Sequence, residues 1–92
     1  MVIVLCYDIS DNRRRARLFK RLKGFLTPVQ ESVFEGNLPD RRWGDLLDTV
    51  KRCIRADADT VRIYTICQRC QGGAVLLGTA ARLRTPDEPI II

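Results

Sequence analysis

The chain has 92 residues, 46% of them hydrophobic and 29% charged, with a formal net charge of +5 and no histidine. That length allows one domain with a thin core, burying about two thirds of the surface the unfolded chain exposes, and the composition excludes a disordered chain. Without histidine, catalysis would have to use carboxylates, cysteines or a hard metal ion with water.

No apolar run approaches the ~20 residues of a membrane span. No basic segment precedes the N-terminal apolar run, and no small-residue cleavage site follows it. No signal peptide is read, and a cytoplasmic location without membrane association is expected. Residues 2–9 (VIVLCYDI) are expected to form a strand apolar on both faces, as in the middle of a sheet. Asp8 interrupts that pattern near the strand's end, on the face of Val2, Val4 and Cys6.

Ser10, Asp11 and Asn12 offer N-caps for a helix running to about Gly24. Leu18, Phe19, Leu22, Phe25 and Leu26 form its apolar stripe, and Arg13, Arg14, Arg17, Lys20 and Arg21 gather opposite. Arg15 falls on the apolar side of the first turn, near the end of the first strand and hence near Asp8. Seven cations stand in residues 13–23 with no acid among them, while the rest of the chain holds nine cations and eleven acids. One segment thus carries the whole positive excess. A focused basic face of this kind suits a polyanion; the plainer alternative is a solvated helix face.

Residues 27–35 read as extended, either one bent strand or two short ones, and Pro28 keeps the first of them off a central position. Gly36-Asn37 signals a turn, and Pro39 with Asp40 a helix start. Trp43, Leu46, Leu47, Val50, Cys53 and Ile54 make the core stripe of a second helix. Trp43 is read there as core, not as a base-stacking platform. A strand is expected over residues 61–67, a loop over 68–73, a short strand over 74–77 and a polar connector over 79–88, before the apolar tail Ile90-Ile91-Ile92. Cys6 and Cys53 fit as small core hydrophobes. Cys67-x-x-Cys70 reads as a structural turn, the alternatives being half of a zinc site completed across a dimer or a redox pair.

Two helices with one apolar stripe each would cover one face of an antiparallel sheet, a ferredoxin-like α+β domain over residues 1–78. The other face of the first strand then needs a cover. A second copy is the simplest source, giving a sheet-to-sheet homodimer. Residues 79–92 are expected as a connector and short strand docking on the dimer partner at a sheet edge.

A carboxylate at the end of a buried strand must be paired or bound to a metal. For Asp8 the plain readings are a salt bridge to Arg15 or a cap on the following turn. The alternative uses symmetry: two facing sheets bring each Asp8 toward its mate, and two such carboxylates raise a pKa or recruit a cation. Mg²⁺, or Mn²⁺ in its place, suits one or two carboxylates plus waters and phosphate oxygens, and would activate water against a phosphodiester. Asp8 is then both metal ligand and catalytic residue, with Tyr7, Ser10 and Arg15 as its support.

Tyr7-Asp8-Ile9 at the end of the first strand, Arg13-Arg14-Arg15 after it, and QESVFEGNL over residues 30–38 occur in that order. Val61-Arg62-Ile63-Tyr64 with Cys67-x-x-Cys70, and finally Leu77-Gly78, follow. Together they resemble the CRISPR-associated protein two family across residues 1–78. The resemblance implies a ferredoxin-like homodimer with packed sheets and a divalent metal, usually Mg²⁺, at the paired aspartates that match Asp8. It implies metal-dependent cleavage of RNA or DNA. It also implies a non-enzymatic role in spacer acquisition, in which the dimer bridges CRISPR integrase subunits and holds duplex DNA along basic surfaces; single-stranded RNA is a second expected partner. Thr27-Pro28 departs from the basic residue that family members often carry before the valine, which weakens the expectation of a phosphate contact there. Two alternatives are a toxin-type ribonuclease of related fold and an RNA-recognition-type binding module without catalysis. The latter would need aromatic platforms, and only Tyr7 and Tyr64 are on offer.

Overall fold

A computed structural model describes residues 1–67, 69, 72, 75 and 77. The expected Cys67-x-x-Cys70 turn, the strand over 74–77 and the docking segment over 79–92 lie wholly or partly outside the described residues. The elements are β1 (Val2–Asp8), α1 (Asn12–Leu22), β2 (Thr27–Gln30), β3 (Val33–Asn37), a 3-10 turn (Asp40–Arg42), α2 (Trp43–Cys53) and β4 (Thr60–Ile66). The four strands form one antiparallel sheet in the order β2-β3-β1-β4. This is the expected ferredoxin-like α+β arrangement, with β1 central.

The pleat of β1 organises the packing. Ile3, Leu5 and Tyr7, with Ile9 beyond them, are buried against Leu18 and Leu22 of α1 and Leu46, Val50 and Cys53 of α2. Both helices therefore lie on one face. Burying an aliphatic side chain of this size stabilises by about 1.5–3 kcal/mol. Phe34, opposite Leu5 in β3, is fully buried, and Phe19 meets it edge-on at 5.2 Å between ring centres. Trp43 packs against this core, as its stripe predicts. Val2, Val4, Cys6 and Asp8 take the opposite face. Cys53 is a core residue as expected, whereas Cys6 is half-buried on the face away from the helices.

The extended stretch after α1 resolves into two strands. Gly36-Asn37 is not a turn: Gly36 pairs with Ile3 and Asn37 with Val2 at the end of β3. Gly36 serves close packing instead, since a Cβ there would stand 3.1 Å from Leu26 Cδ2. Pro28 lies in β2, an edge strand, where a missing N–H breaks no ladder.

Asp11 is the N-cap of α1, its carboxylate accepting from the Arg14 N–H at 2.8 Å. At the far end Arg42 donates to the Gly24 carbonyl at 2.9 Å and lies over the Phe25 ring at 4.3 Å. Among the described residues, the longest-range side-chain hydrogen bonds join α1 to the approach to β4. Arg14 Nε and Nη2 donate to the two carboxylate oxygens of Asp59 at 2.8 and 3.0 Å. Asp59, buried, also accepts from the Arg55 N–H at 2.8 Å. This corrects the expectation that Arg14 contacts phosphate: its guanidinium fork is already matched to a carboxylate. Helical angle puts Arg14 with the other cations, but a partner 45 positions away is invisible to local pattern.

The Arg14 side-chain hydrogen bonds hold the Asp59 carboxyl below its usual pKa, with the Arg55 N–H adding to the effect. Its contribution to stability is complete above the unfolded carboxylate value of about 4 and is lost as pH falls through the depressed folded value. Asp59→Asn is therefore expected to lower the thermal midpoint by several degrees at neutral pH. The deficit should narrow as wild type is acidified below about pH 4. Thermal melts of both proteins across pH 2–7 would check this; a constant gap would remove the ion pair as its cause.

Candidate nucleic-acid interface and metal site

Asp8 closes β1 opposite Thr60 and is exposed to solvent. Among the described residues no cation lies within ion-pair distance of its carboxylate. The expected salt bridge to Arg15 is absent. Arg15 does reach the end of the first strand, but it donates to the Ile9 carbonyl at 2.9 Å and to Asn12 Oδ1. It clamps the β1–α1 turn and leaves Asp8 open.

Tyr7 also stands apart from Asp8. Alternation sends the two side chains to opposite faces. The Tyr7 hydroxyl donates to the Glu31 carbonyl at 2.8 Å, and its ring lies beside Phe34 at 6.3 Å. Burial pushes its pKa up, so the phenol remains a donor holding the β2–β3 turn. Ser10 is exposed in the β1–α1 turn, without a side-chain hydrogen bond among the described residues. Of the expected support, Arg15 fixes the turn after Asp8, Tyr7 holds the β2–β3 turn and Ser10 has no side-chain hydrogen bond among the described residues; none of them is hydrogen-bonded to the Asp8 carboxylate.

The donor set bears on which ion fits. Among the described residues no three His, Cys, Asp or Glu side chains converge, so these residues build no closed zinc or calcium cage. A single exposed carboxylate suits Mg²⁺, which keeps several waters and needs only one or two protein oxygens. A second copy would supply a second carboxylate.

Among the described residues, the face that carries Asp8 holds two further charged groups. Arg62 pairs with Cys6, one step from the Asp8–Thr60 pair, and is exposed. Glu35 pairs with Val4 and is half-buried, and burial pushes its carboxyl above the usual range. Sequence reading missed both. Which face a strand residue takes relative to another strand depends on register, which only the folded sheet reveals.

On α1, four of the five expected phosphate contacts remain available. Arg13, Arg17, Lys20 and Arg21 are exposed, and among the described residues none has an ion-pair partner. Lys23 extends the patch, its Nζ 5.0 Å from the centre of the Phe19 ring. No helix among the described residues is long and apolar enough to cross a membrane.

The chain matches the family model of the CRISPR associated protein Cas2 over residues 1–73. It is 35% identical over 89 residues to a CRISPR-associated endoribonuclease Cas2 of Thermus thermophilus, with 95% of each chain covered. A CRISPR-associated endoribonuclease Cas2 of Mycobacterium tuberculosis is 47% identical over 66 residues, 72% of this chain and 58% of that one. Among solved structures, a hypothetical protein from Thermus thermophilus superposes with a TM-score of 0.75 at 34% identity, covering 87% of this chain and 93% of that one.

The raised Glu35 carboxyl has a stability consequence opposite in sign to that of Asp59. Below the unfolded glutamate value of about 4.3 both states are protonated and nothing is lost. As pH rises through the folded value the charged form is penalised only in the folded state. Glu35→Gln should therefore raise the thermal midpoint at neutral pH, with the gain vanishing below about pH 4. Equal midpoints at neutral pH would show that the carboxylate is fully solvated.

Proposed function

Because the chain belongs to the CRISPR-associated Cas2 family, we propose that it acts in CRISPR adaptation as a homodimer. The dimer holds duplex DNA on the exposed cationic face of α1 and bridges integrase subunits. The observation that carries this reading is that Arg13, Arg17, Lys20 and Arg21, without ion-pair partners among the described residues, lie on one solvent-facing side of a helix, while Arg14 is drawn off to Asp59. No Asn or Gln is interleaved with these cations to read base edges, so they contact phosphates and bind duplexes without sequence preference. Bridging of integrase subunits rests on the family resemblance.

A second activity, metal-dependent cleavage of RNA or DNA at Asp8, is favoured by the carboxylate's exposure and by the endoribonuclease names of the Thermus and Mycobacterium relatives. Packing the helix-free sheet faces of two copies brings their Asp8 side chains together, where they would hold Mg²⁺ or Mn²⁺. When bound, the ion lowers the pKa of a coordinated water and polarises the phosphodiester. This chain's contribution is to hold the Asp8 end of β1 rigid: Arg15 fixes the Ile9 carbonyl, and Tyr7 ties the neighbouring turn. Without histidine, proton movement falls to water and carboxylate.

Light scattering should report a dimer at micromolar concentration. Duplex affinity should fall steeply with salt. On the rule of about 0.9 per phosphate neutralised, four free cations per chain and partial engagement give a slope of roughly −3 to −7 in log K against log salt. Arg13→Ala with Arg17→Ala should flatten that slope and weaken all duplexes alike while leaving the fold intact. Unchanged binding at every salt concentration would place the duplex elsewhere. Asp8→Asn should abolish Mg²⁺- or Mn²⁺-dependent cleavage and leave duplex binding unchanged; cleavage surviving both Asp8→Asn and EDTA would point to another site.

A further inference from the structure

We propose that the groove between α1 and β2 is a nucleobase site, in which an unpaired base of a single strand lies while the flanking phosphates sit on Lys20 and Lys23; this deepens the reading of α1 as a phosphate-binding face and rests on it. The groove has an apolar floor, Ala16 and Phe19 from α1 and Pro28 and Val29 from β2. Its volume of about 860 Å³ falls in the usual range of ligand pockets, about 300–1,000 Å³. It opens on the helix side of the sheet, since Pro28 pairs with Phe34 of the core. A dimer made by packing the helix-free faces leaves it accessible.

The chemistry of the walls selects a nucleotide. Phe19 is half-buried and presents an aromatic surface, and bases of any sequence stack on such rings. Two amides stand on opposite walls, Asn12 on α1 and Gln30 on β2. Asn12 Oδ1 accepts from Arg15, which leaves its NH2 group to donate, and the Gln30 side chain has no hydrogen bond among the described residues. Amides of this kind bond to base edges, and a single strand exposes both the edges and the faces of its bases. Lys20 and Lys23 follow Ala16 and Phe19 by one helical turn and are both exposed. Lys23 Nζ already lies 5.0 Å from the centre of the Phe19 ring. An apolar peptide in the groove would leave these cations unpaired, and a bare polyanion would leave the floor uncovered. A nucleotide answers both. The far wall is held before any ligand arrives: Tyr7 donates through its hydroxyl to the Glu31 carbonyl at 2.8 Å and through its N–H to the Ser32 carbonyl at 3.1 Å.

The test compares two labelled probes of equal length and charge at low salt, hexathymidylate and the same backbone built entirely of abasic units. The full-length wild type should bind hexathymidylate about tenfold more tightly, the scale of one stacked base. Ala16→Gln fills the groove from an exposed helical position without changing charge. It should bring the ratio of the two affinities close to unity, while affinity for the abasic strand and for a duplex stays as in wild type. Gln30→Ala should lower the ratio roughly threefold, as expected for one lost hydrogen bond, and carries the test if thermal melts show Ala16→Gln to be misfolded. Equal affinity of wild type for both probes overturns the proposal, and so does a preference that survives both substitutions. If wild type binds a duplex yet shows no preference for hexathymidylate, the groove alone is overturned. If it binds neither duplex nor single strand, the phosphate reading of α1 falls and takes the groove with it.

Discussion

β1 is the strand every other element must accommodate. It lies between β3 and β4 with apolar side chains on both faces, and two helices of this length cover one face only. The pleat then allots each residue without compromise: Ile3, Leu5 and Tyr7 to the helices, and Val4, Cys6 and Asp8 to the opposite side. Tyr7 and Asp8 are adjacent in sequence and work on opposite sides of the sheet. One secures a turn from within; the other projects on the face away from α1 and α2. A one-residue slip of β1 would bury the carboxylate beneath α1 and expose the tyrosine, so the same alternation that builds the core protects the site.

The cations of α1 divide into two kinds by what the fold asks of them. Arg14 and Arg15 are engaged within the domain, the first by the buried Asp59 carboxylate and the second by the Ile9 carbonyl. Arg13, Arg17, Lys20 and Arg21 are left to solvent. Leu18 and Leu22, buried in the core, turn the free cations toward solvent, and the Arg14–Asp59 pair ties the first turn of α1 to the approach to β4. A buried pair of this sort is a poor source of net stability against an apolar substitute.

Periodicity was enough to find β1, both helices and β4, because each carries a stripe or alternation that burial explains. It was enough to put Asp8 on the face of Val4 and Cys6, since parity along one strand is a local property. It could not decide between one strand and two in residues 27–35, and just after them a buried glycine against Leu26 resembles a turn signal on paper. It also gave Arg14 and Arg17 the same role, because both lie on the polar side of the helix and only tertiary packing supplies Asp59. Arg62 escaped for a related reason: its relation to Asp8 exists only through strand register.

The two edges of the sheet are unequal. β2 is short, contains Pro28, and has a break in register between Pro28 and Gln30. A missing donor and a bulge make it a poor template for another strand. β4 runs seven residues without proline or bulge, and its outer side has no strand paired to it among the described residues. A molecule with two adhesive edges can propagate into a fibre. One with a single adhesive edge can only close on a second molecule and stop. Pro28 thus does more than start a strand at the periphery: with the register break it closes the β2 edge to a further strand.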